Sequence, residues 1–179
     1  NILVKEFLLL YGEEKLRALK LQYKDFAHWQ NSGKERKRRE NQEKYWLREF
    51  AGEIPLMNLP MDFKRPKIQS FEGKTLRFVI DKKETRQFKT IGLQEEATLY
   101  MVLVSLLNIL LAKLSGDEDI VIGTPIAGRR HADLQQIIGL FINTLLLRNF
   151  PRGEKPFGEF VKEVKQRTLK AFDHQDYPY

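Results

Sequence analysis

Two places in the sequence combine residue types that can do chemistry. The first is Asn143, a carboxamide set inside the apolar run Phe141-Ile142-Asn143-Thr144-Leu145. Burying it without partners would cost about 1–3 kcal/mol, so it must bond a backbone group, a water or a substrate. The second is His174-Gln175-Asp176, three adjacent side chains with donor and acceptor capacity, placed just after a helical pattern. Their structural alternative is a helix stop before a Pro178 turn, with His174 favourable at the negative end of the helix dipole. A third place is a near miss. Ile120-Val121-Ile122 leads into Gly123-Thr124-Pro125-Ile126-Ala127-Gly128-Arg129-Arg130, which has the G-x-x-x-x-G spacing of a phosphate loop. Such a loop needs free backbone amides, then a Lys and a magnesium-binding hydroxyl. Pro125 removes an amide and Arg129-Arg130 replaces the Lys-Ser/Thr pair, so nucleotide binding is not expected.

Other chemistries are excluded by residue type. With no cysteine there is no disulfide framework, zinc ribbon or thiolate nucleophile, and a reducing cytoplasm is the expected location. None of the four serines lies in G-x-S-x-G, and neither H-E-x-x-H nor G-x-G-x-x-G occurs. His28, His131 and His174 are too far apart in sequence to suggest a metal cluster, and no metal is expected. The net charge of +7 has one dense source, Lys34-Glu35-Arg36-Lys37-Arg38-Arg39. Its interleaving with Glu35, Glu40 and Glu43 reads as a solvated helix start, and without an aromatic platform nucleic acid is not an expected partner.

The elements that would position these residues follow from periodicity. In 179 residues, 42% hydrophobic and 31% charged composition is that of a globular chain and excludes disorder. Residues 2–11 read as the end of an apolar helix stopped by Gly12. Tyr23, Phe26, Ala27 and Gln30 share one helical face, and a second helix is expected from about Arg36 to Phe50. Pro55, Pro60 and Pro66 punctuate an extended arm, too apolar at Ile54, Leu56, Met57, Leu59 and Phe63 to be a free linker. Thr75–Ile80 alternates like a strand, and 83–96 like a helix interrupted at Gly92. Leu99–Leu114 predicts a buried core helix, at 16 residues too short for the ~20 of a membrane span. Ile120–Ile122 and Ile137–Arg148 predict buried strands, and Phe157, Phe160, Val161, Val164, Thr168, Ala171 and Phe172 trace an amphipathic helix. The order is that of an α/β layered fold, a sheet with packed helices. Asn1 opens the chain inside an apolar stretch and Asp176-Tyr177-Pro178-Tyr179 closes it without a stop signal, so both ends read as cut.

Four segments together resemble the condensation domains of nonribosomal peptide synthetases. Tyr23-Lys24-Asp25-Phe26-Ala27-His28-Trp29 resembles the family's Y-x-D-[YF]-A-x-W. The stretch from Gly116 through Asp119 and Gly123 to Arg129 resembles G-x-x-D-I-x-[IV]-G-T-P-x-A-x-R. Ile138-Gly139-Leu140-Phe141-Ile142-Asn143-Thr144, with Arg148, resembles I-G-x-F-[VI]-N-T…R, and His174-Gln175-Asp176-Tyr177-Pro178 resembles H-Q-D-x-P-F, with Tyr179 in place of Phe.

The resemblance implies a two-lobed fold like chloramphenicol acetyltransferase, with a tunnel in which an acceptor amine attacks a donor thioester. Residues 1–52 would be a helical segment from the lobe junction, 53–74 the crossing arm, and 75–179 an α/β segment of the C-terminal lobe. The family's catalytic histidine lies in H-H-x-x-x-D-G. Neither a His-His nor an Asp-Gly pair occurs here, so no catalytic residue is assigned and the segment is expected to be inactive alone. Asn143, Thr144, His174 and Asp176 are the substrate or tunnel candidates. Tyr23, Asp25, Trp29, Gly123, Arg129, Gly139 and Arg148 are the structural ones. No cofactor is expected to be bound covalently by the segment. The implied partners are peptidyl and aminoacyl carrier proteins, with their phosphopantetheine arms, and adjacent synthetase domains, with no membrane involved. An epimerising or starter N-acylating relative, and a non-catalytic carrier-docking module, are the alternatives.

Overall fold

Several helices begin in this chain where a polar side chain can take up a free backbone N–H. The computed structural model describes residues 2–64 and 66–178. Tyr179, the last position of the H-Q-D-x-P-F-like segment, and Asn1, the abrupt start, lie outside the described residues. The chain divides into two units. The first holds the residues up to Ala51, Gly123–Leu145 and those from Asp173 onward; the second holds Gly52–Ile122 and Leu146–Phe172. The chain passes from one unit to the other after Ala51, within two strands and at the end of the last helix.

In the first unit, α1 (Ile2–Tyr11) ends at a turn and has no buried side chain. The next helix, α2 (Tyr23–Gln30), starts where the Gln22 N–H donates to the Asp25 carboxylate at 2.8 Å. An acid there also faces the positive end of the helix dipole. Helix α3 (Gly33–Glu49) begins three residues before the expected Arg36, since Ser32 Oγ caps the Glu35 N–H. Arg39 donates to the Gln30 carbonyl at 2.8 Å and so closes the open end of α2.

In the second unit, the arm is irregular, and Leu56 and Phe63 remain exposed rather than lying on a surface. The strand expected at Thr75–Ile80 does not form. No described strand pairs with it, and Leu76, Phe78 and Val79 all stay more than four-fifths exposed at 88%, 85% and 93%. Alternation makes a strand only where a neighbour supplies the ladder.

Helix α4 (Lys82–Gln94) is capped by Asp81 and runs through Gly92 without interruption. That glycine is buried, and a Cβ there would lie 2.8 Å from the Ala97 carbonyl. Its role is close approach of the following turn, where Ala97 N–H meets the Gly92 carbonyl at 2.7 Å.

Helix α5 (Leu99–Ser115) ends at Gly116, whose φ of +79° is left-handed. It is not wholly buried as expected. Met101, Val102, Val104, Ser105 and Asn108 point inward, whereas Leu107, Leu110 and Leu114 are two-fifths to a half exposed. The inward polar groups are accommodated because Ser105 Oγ and Asn108 Nδ2 donate to the Met101 and Val104 carbonyls at 2.8 and 2.7 Å. No single helix among the described residues is long and apolar enough to cross a membrane.

Strands β1 (Ile120–Ile126) and β2 (Asn143–Asn149) form a two-stranded sheet. β1 outruns its expected three residues, and the strand expected from Ile137 starts only at Asn143. Residues 137–142 are diverted because Arg129 takes the Leu134 and Ile137 carbonyls. Finally, α6 (Phe157–Asp173) buries Phe160, Val161, Val164, Thr168 and Ala171.

Arg148, on β2 in the second unit, grips Asp119 with two groups: Nε lies 2.9 Å from Oδ1 and Nη2 lies 2.6 Å from Oδ2. Nη2 also reaches the Glu53 carbonyl at 3.1 Å, tying the arm's start to the strand. Only 11% of the Arg148 side chain is exposed, against 29% for Asp119. Removing the guanidinium strands a half-buried carboxylate. Arg148→Ala is therefore expected to cost about 2 kcal/mol, less than a fully buried pair. Arg148→Lys should lose most of the same amount, because an ammonium cannot span both oxygens and the carbonyl. The denaturation midpoint measures both, and an unchanged midpoint in Arg148→Ala would refute the role.

Candidate functional site

The first unit holds the Tyr23–Trp29 and His174–Pro178 segments and Ile138–Thr144 of a third, whose Arg148 lies in the other unit, and the long Gly116–Arg129 stretch divides between the units. Its small core is Leu134, Ile137 and Phe141, with Phe26 of α2 packed on it. Tyr23 meets the Phe141 ring edge-on at 5.3 Å, Phe26 lies 4.7 Å from it, and Trp29 continues the aromatic series at 5.8 Å from Phe26. The Tyr23 ring covers Gly139 so closely that a Cβ there would overlap it, and its hydroxyl donates to the Leu140 carbonyl at 3.0 Å. Arg129 places its guanidinium 4.1 Å from the Phe141 ring centre while binding two loop carbonyls. Gly128, at φ +63°, is pressed against the Phe141 carbonyl where no side chain fits. Tyr23, Arg129 and Gly139 thus build one piece of architecture. Asp25 works as a helix cap, Gly123 is a residue of β1, and Arg148 lies in the other unit.

Over this platform passes the segment 174–178, which we call the strap. The His174 ring stacks on Tyr45 at 3.9 Å, and the Trp46 indole donates to the His174 carbonyl at 2.9 Å. Asn143 Nδ2 donates to the Gln175 and Tyr177 carbonyls at 3.0 and 2.7 Å, and its Oδ1 accepts the Thr144 N–H at 2.9 Å. Of the partners left open for Asn143, the backbone is the one observed. Asp176 Oδ2 receives Arg130 at 2.7 Å, Arg38 at 2.9 Å and the Gln42 amide at 3.3 Å.

Arg38 and Arg39 therefore correct the reading of the basic run as merely solvated, since both are engaged. Gln42, Arg38, Arg130 and Tyr45 escaped the motif reading. The available signal was the helical spacing of Glu35, Gln42, Tyr45 and Trp46, all buried on α3, but its polar members read as solvent-facing.

A cavity of about 770 Å³ opens among these elements. Phe26, Trp29 and Phe141 form its apolar wall; Arg38, Arg130 and Asn143 are among its polar lining. His131 lies on the rim beside Asp133, 3.4 Å away. Such a lining, part aromatic and part hydrogen-bonding, suits an extended amphipathic ligand. Among the described residues no group of His, Asp and Glu is arranged to hold a metal.

A family model described as Condensation domain matches residues 1–179. Tyrocidine synthase 3 of Brevibacillus parabrevis is 49% identical over the whole chain, which spans 3% of that protein's length. Among solved structures, a complex of the X-domain and OxyB from teicoplanin biosynthesis superposes with a TM-score of 0.84 at 25% identity. That match covers 92% of this chain and 37% of the X-domain chain. The condensation domain of the monacolin K polyketide synthase gives 0.72 at 22% identity, covering 96% and 41%.

The strap carries a titratable contact. Tyr177 hydroxyl donates to the Glu43 carboxylate at 3.1 Å. That bond foremost, then burial and the carboxylate's charge, raise the phenol above its ordinary value of 10.0. Folding favours the neutral phenol, so its contribution is complete below pH 10 and fades as pH rises through the higher folded value. Tyr177→Phe should therefore melt below wild type at pH 8 by a margin that narrows above pH 10. A phenolate absorbance titration should show the transition moving down in Glu43→Gln; no movement would disprove the assigned cause.

Proposed function

Because the chain belongs to the condensation-domain family, we propose that it forms part of a nonribosomal peptide synthetase domain that joins two carrier-bound substrates through an amide. In that reaction the acceptor amine attacks the donor thioester carbonyl. A C–N bond forms, the C–S bond breaks, the amine loses a proton and the carrier thiol leaves. The observation that carries the reading is the joining of the family-like segments on one cavity, with Asn143 in its wall.

These residues supply positioning. The aromatic wall of Phe26, Trp29 and Phe141 shields the reactants from water, and the polar groups of the lining orient those of the substrate or of a phosphopantetheine arm. That arm, with its amides on an extended chain, fits a lining of this mixed character. Thr144 and His174 support Asn143 and the strap respectively, and no proton transfer is assigned to His174, whose ring is stacked on Tyr45. The 179 residues contain no His-His pair, so the proton acceptor of the resembled motif is not supplied by them.

A second reading has an observation of its own. The X-domain that superposes well is found in a complex with OxyB, so a relative of this fold serves in partner binding. On that reading the chain would bind a carrier protein or a tailoring partner without forming amides. An epimerising or N-acylating domain would differ in its released product, which mass spectrometry identifies.

Two outcomes are expected. The 179-residue segment alone, mixed with loaded donor and acceptor carriers, should give no amide, and robust turnover would sink the proposed positioning-only role. In the intact synthetase, Asn143→Ala should slow single-turnover amide formation roughly tenfold, about 1.4 kcal/mol of barrier. An unchanged rate would remove Asn143 from the reaction.

A further inference from the structure

Helix α3 buries a carboxamide where a helix so rich in charge has little reason to. Gln42 is 4% exposed. Both ends of its side chain are spent on one residue of the strap: Oε1 accepts the Asp176 N–H at 3.0 Å, and Nε2 donates to Asp176 Oδ2 at 3.3 Å. That pairing fixes the strap in register. A shift by one residue would leave the buried amide with no partner, a cost larger than the worth of the bond itself. Arg38, about one turn earlier on the same helix, and Arg130, from the loop after β1, hold the same carboxylate oxygen.

The consequence falls on Asn143. The carbonyls on either side of Asp176, those of Gln175 and Tyr177, take both of its donated bonds. Its amide plane is thereby set by the strap, and the strap by Gln42. Only Oδ1, which accepts the single Thr144 N–H, keeps a lone pair for a ligand in the cavity.

We propose that Gln42 is a positioning residue for amide formation, acting through Asp176 to orient the Asn143 carboxamide. The inference rests on the reading of the chain as part of an amide-forming domain. Residue type matters at position 42. An alanine would orphan the Asp176 N–H, and a glutamate would set a second carboxylate against the first.

The test uses the intact synthetase, with donor and acceptor loaded on its own carriers and single-turnover product followed by mass spectrometry. Gln42→Ala should slow condensation about tenfold, as a lost positioning contact does. The rate of loading amino acid onto the carriers should stay at the wild-type level. Gln42→Ala with Asn143→Ala should be no slower than the slower single variant, because both remove one constraint. Gln42→Glu should also be slow, and Gln42→Met, which keeps the side chain's length but loses both bonds, should be as slow as Gln42→Ala. A purely structural glutamine would give losses that multiply with Asn143→Ala.

A wild-type rate in Gln42→Ala or Gln42→Met, or losses that multiply with Asn143→Ala, would each overturn the inference. Should Gln42→Ala fail to fold, Gln42→Met, which fills the buried space, decides. If the wild-type synthetase loads its carriers yet makes no amide, the functional reading falls and the inference with it. If wild type makes amide and the Gln42 variants make it at the wild-type rate, the inference alone falls.

Discussion

One carboxylate oxygen, Oδ2 of Asp176, receives donors from Arg38, Gln42 and Arg130. Each ion pair is partly exposed, with the arginine side chains at 44% and the aspartate at 27%, and singly such pairs contribute little. Their significance is topological. The donors come from α3 and from the loop after β1, while the acceptor comes from the strap, so three segments distant in sequence are referred to one point. The cavity has its shape because these segments converge there.

Beneath that point, the family-like residues serve geometry more than reactivity. Gly128 and Gly139 permit the Phe141 carbonyl and the Tyr23 ring to approach the backbone. Arg129 binds two carbonyls of a loop that would otherwise continue as strand. A buried backbone carbonyl needs a donor wherever it is, and a long side chain with five N–H groups frees a loop from pairing with a neighbour. The result is a rigid aromatic floor under a mixed polar lining, as a pre-organised binding surface requires.

The sequence was legible where the physics is local. Gly116 after an apolar helix, the periodic face of α6, and the helical spacing of Tyr23 to Gln30 each appear as the structure has them. It was misleading where the outcome depends on a distant partner. Thr75–Ile80 has the alternation of a strand without a described neighbour, and Gly92 has the appearance of a breaker but serves a close turn. Ile137–Ile142 is apolar enough for a strand yet is captured by Arg129. On α5 the leucines face partly outward and Ser105 and Asn108 inward, an order that hydropathy reverses. At the site, Asn143 stood out because a carboxamide in an apolar run demands partners. Gln42 did not, since it sits among charges, and only the return of residue 176 to α3 reveals its burial.

The strap's place in the chain sets an order of events during synthesis. Helices α2 and α3 and the loop carrying Arg130 leave the ribosome well before residues 174–178, which lie more than 40 positions beyond Arg130. Chains generally fold by domains as they emerge. Until Asp176 appears, the Arg130 guanidinium and the Gln42 carboxamide lack this partner, Arg38 keeps only the neighbouring Glu35 of its own helix, and the Asn143 amide has no carbonyls to hold. The cavity's completion is thus tied to the arrival of a single late residue, which makes the finished site a report that translation has passed through it.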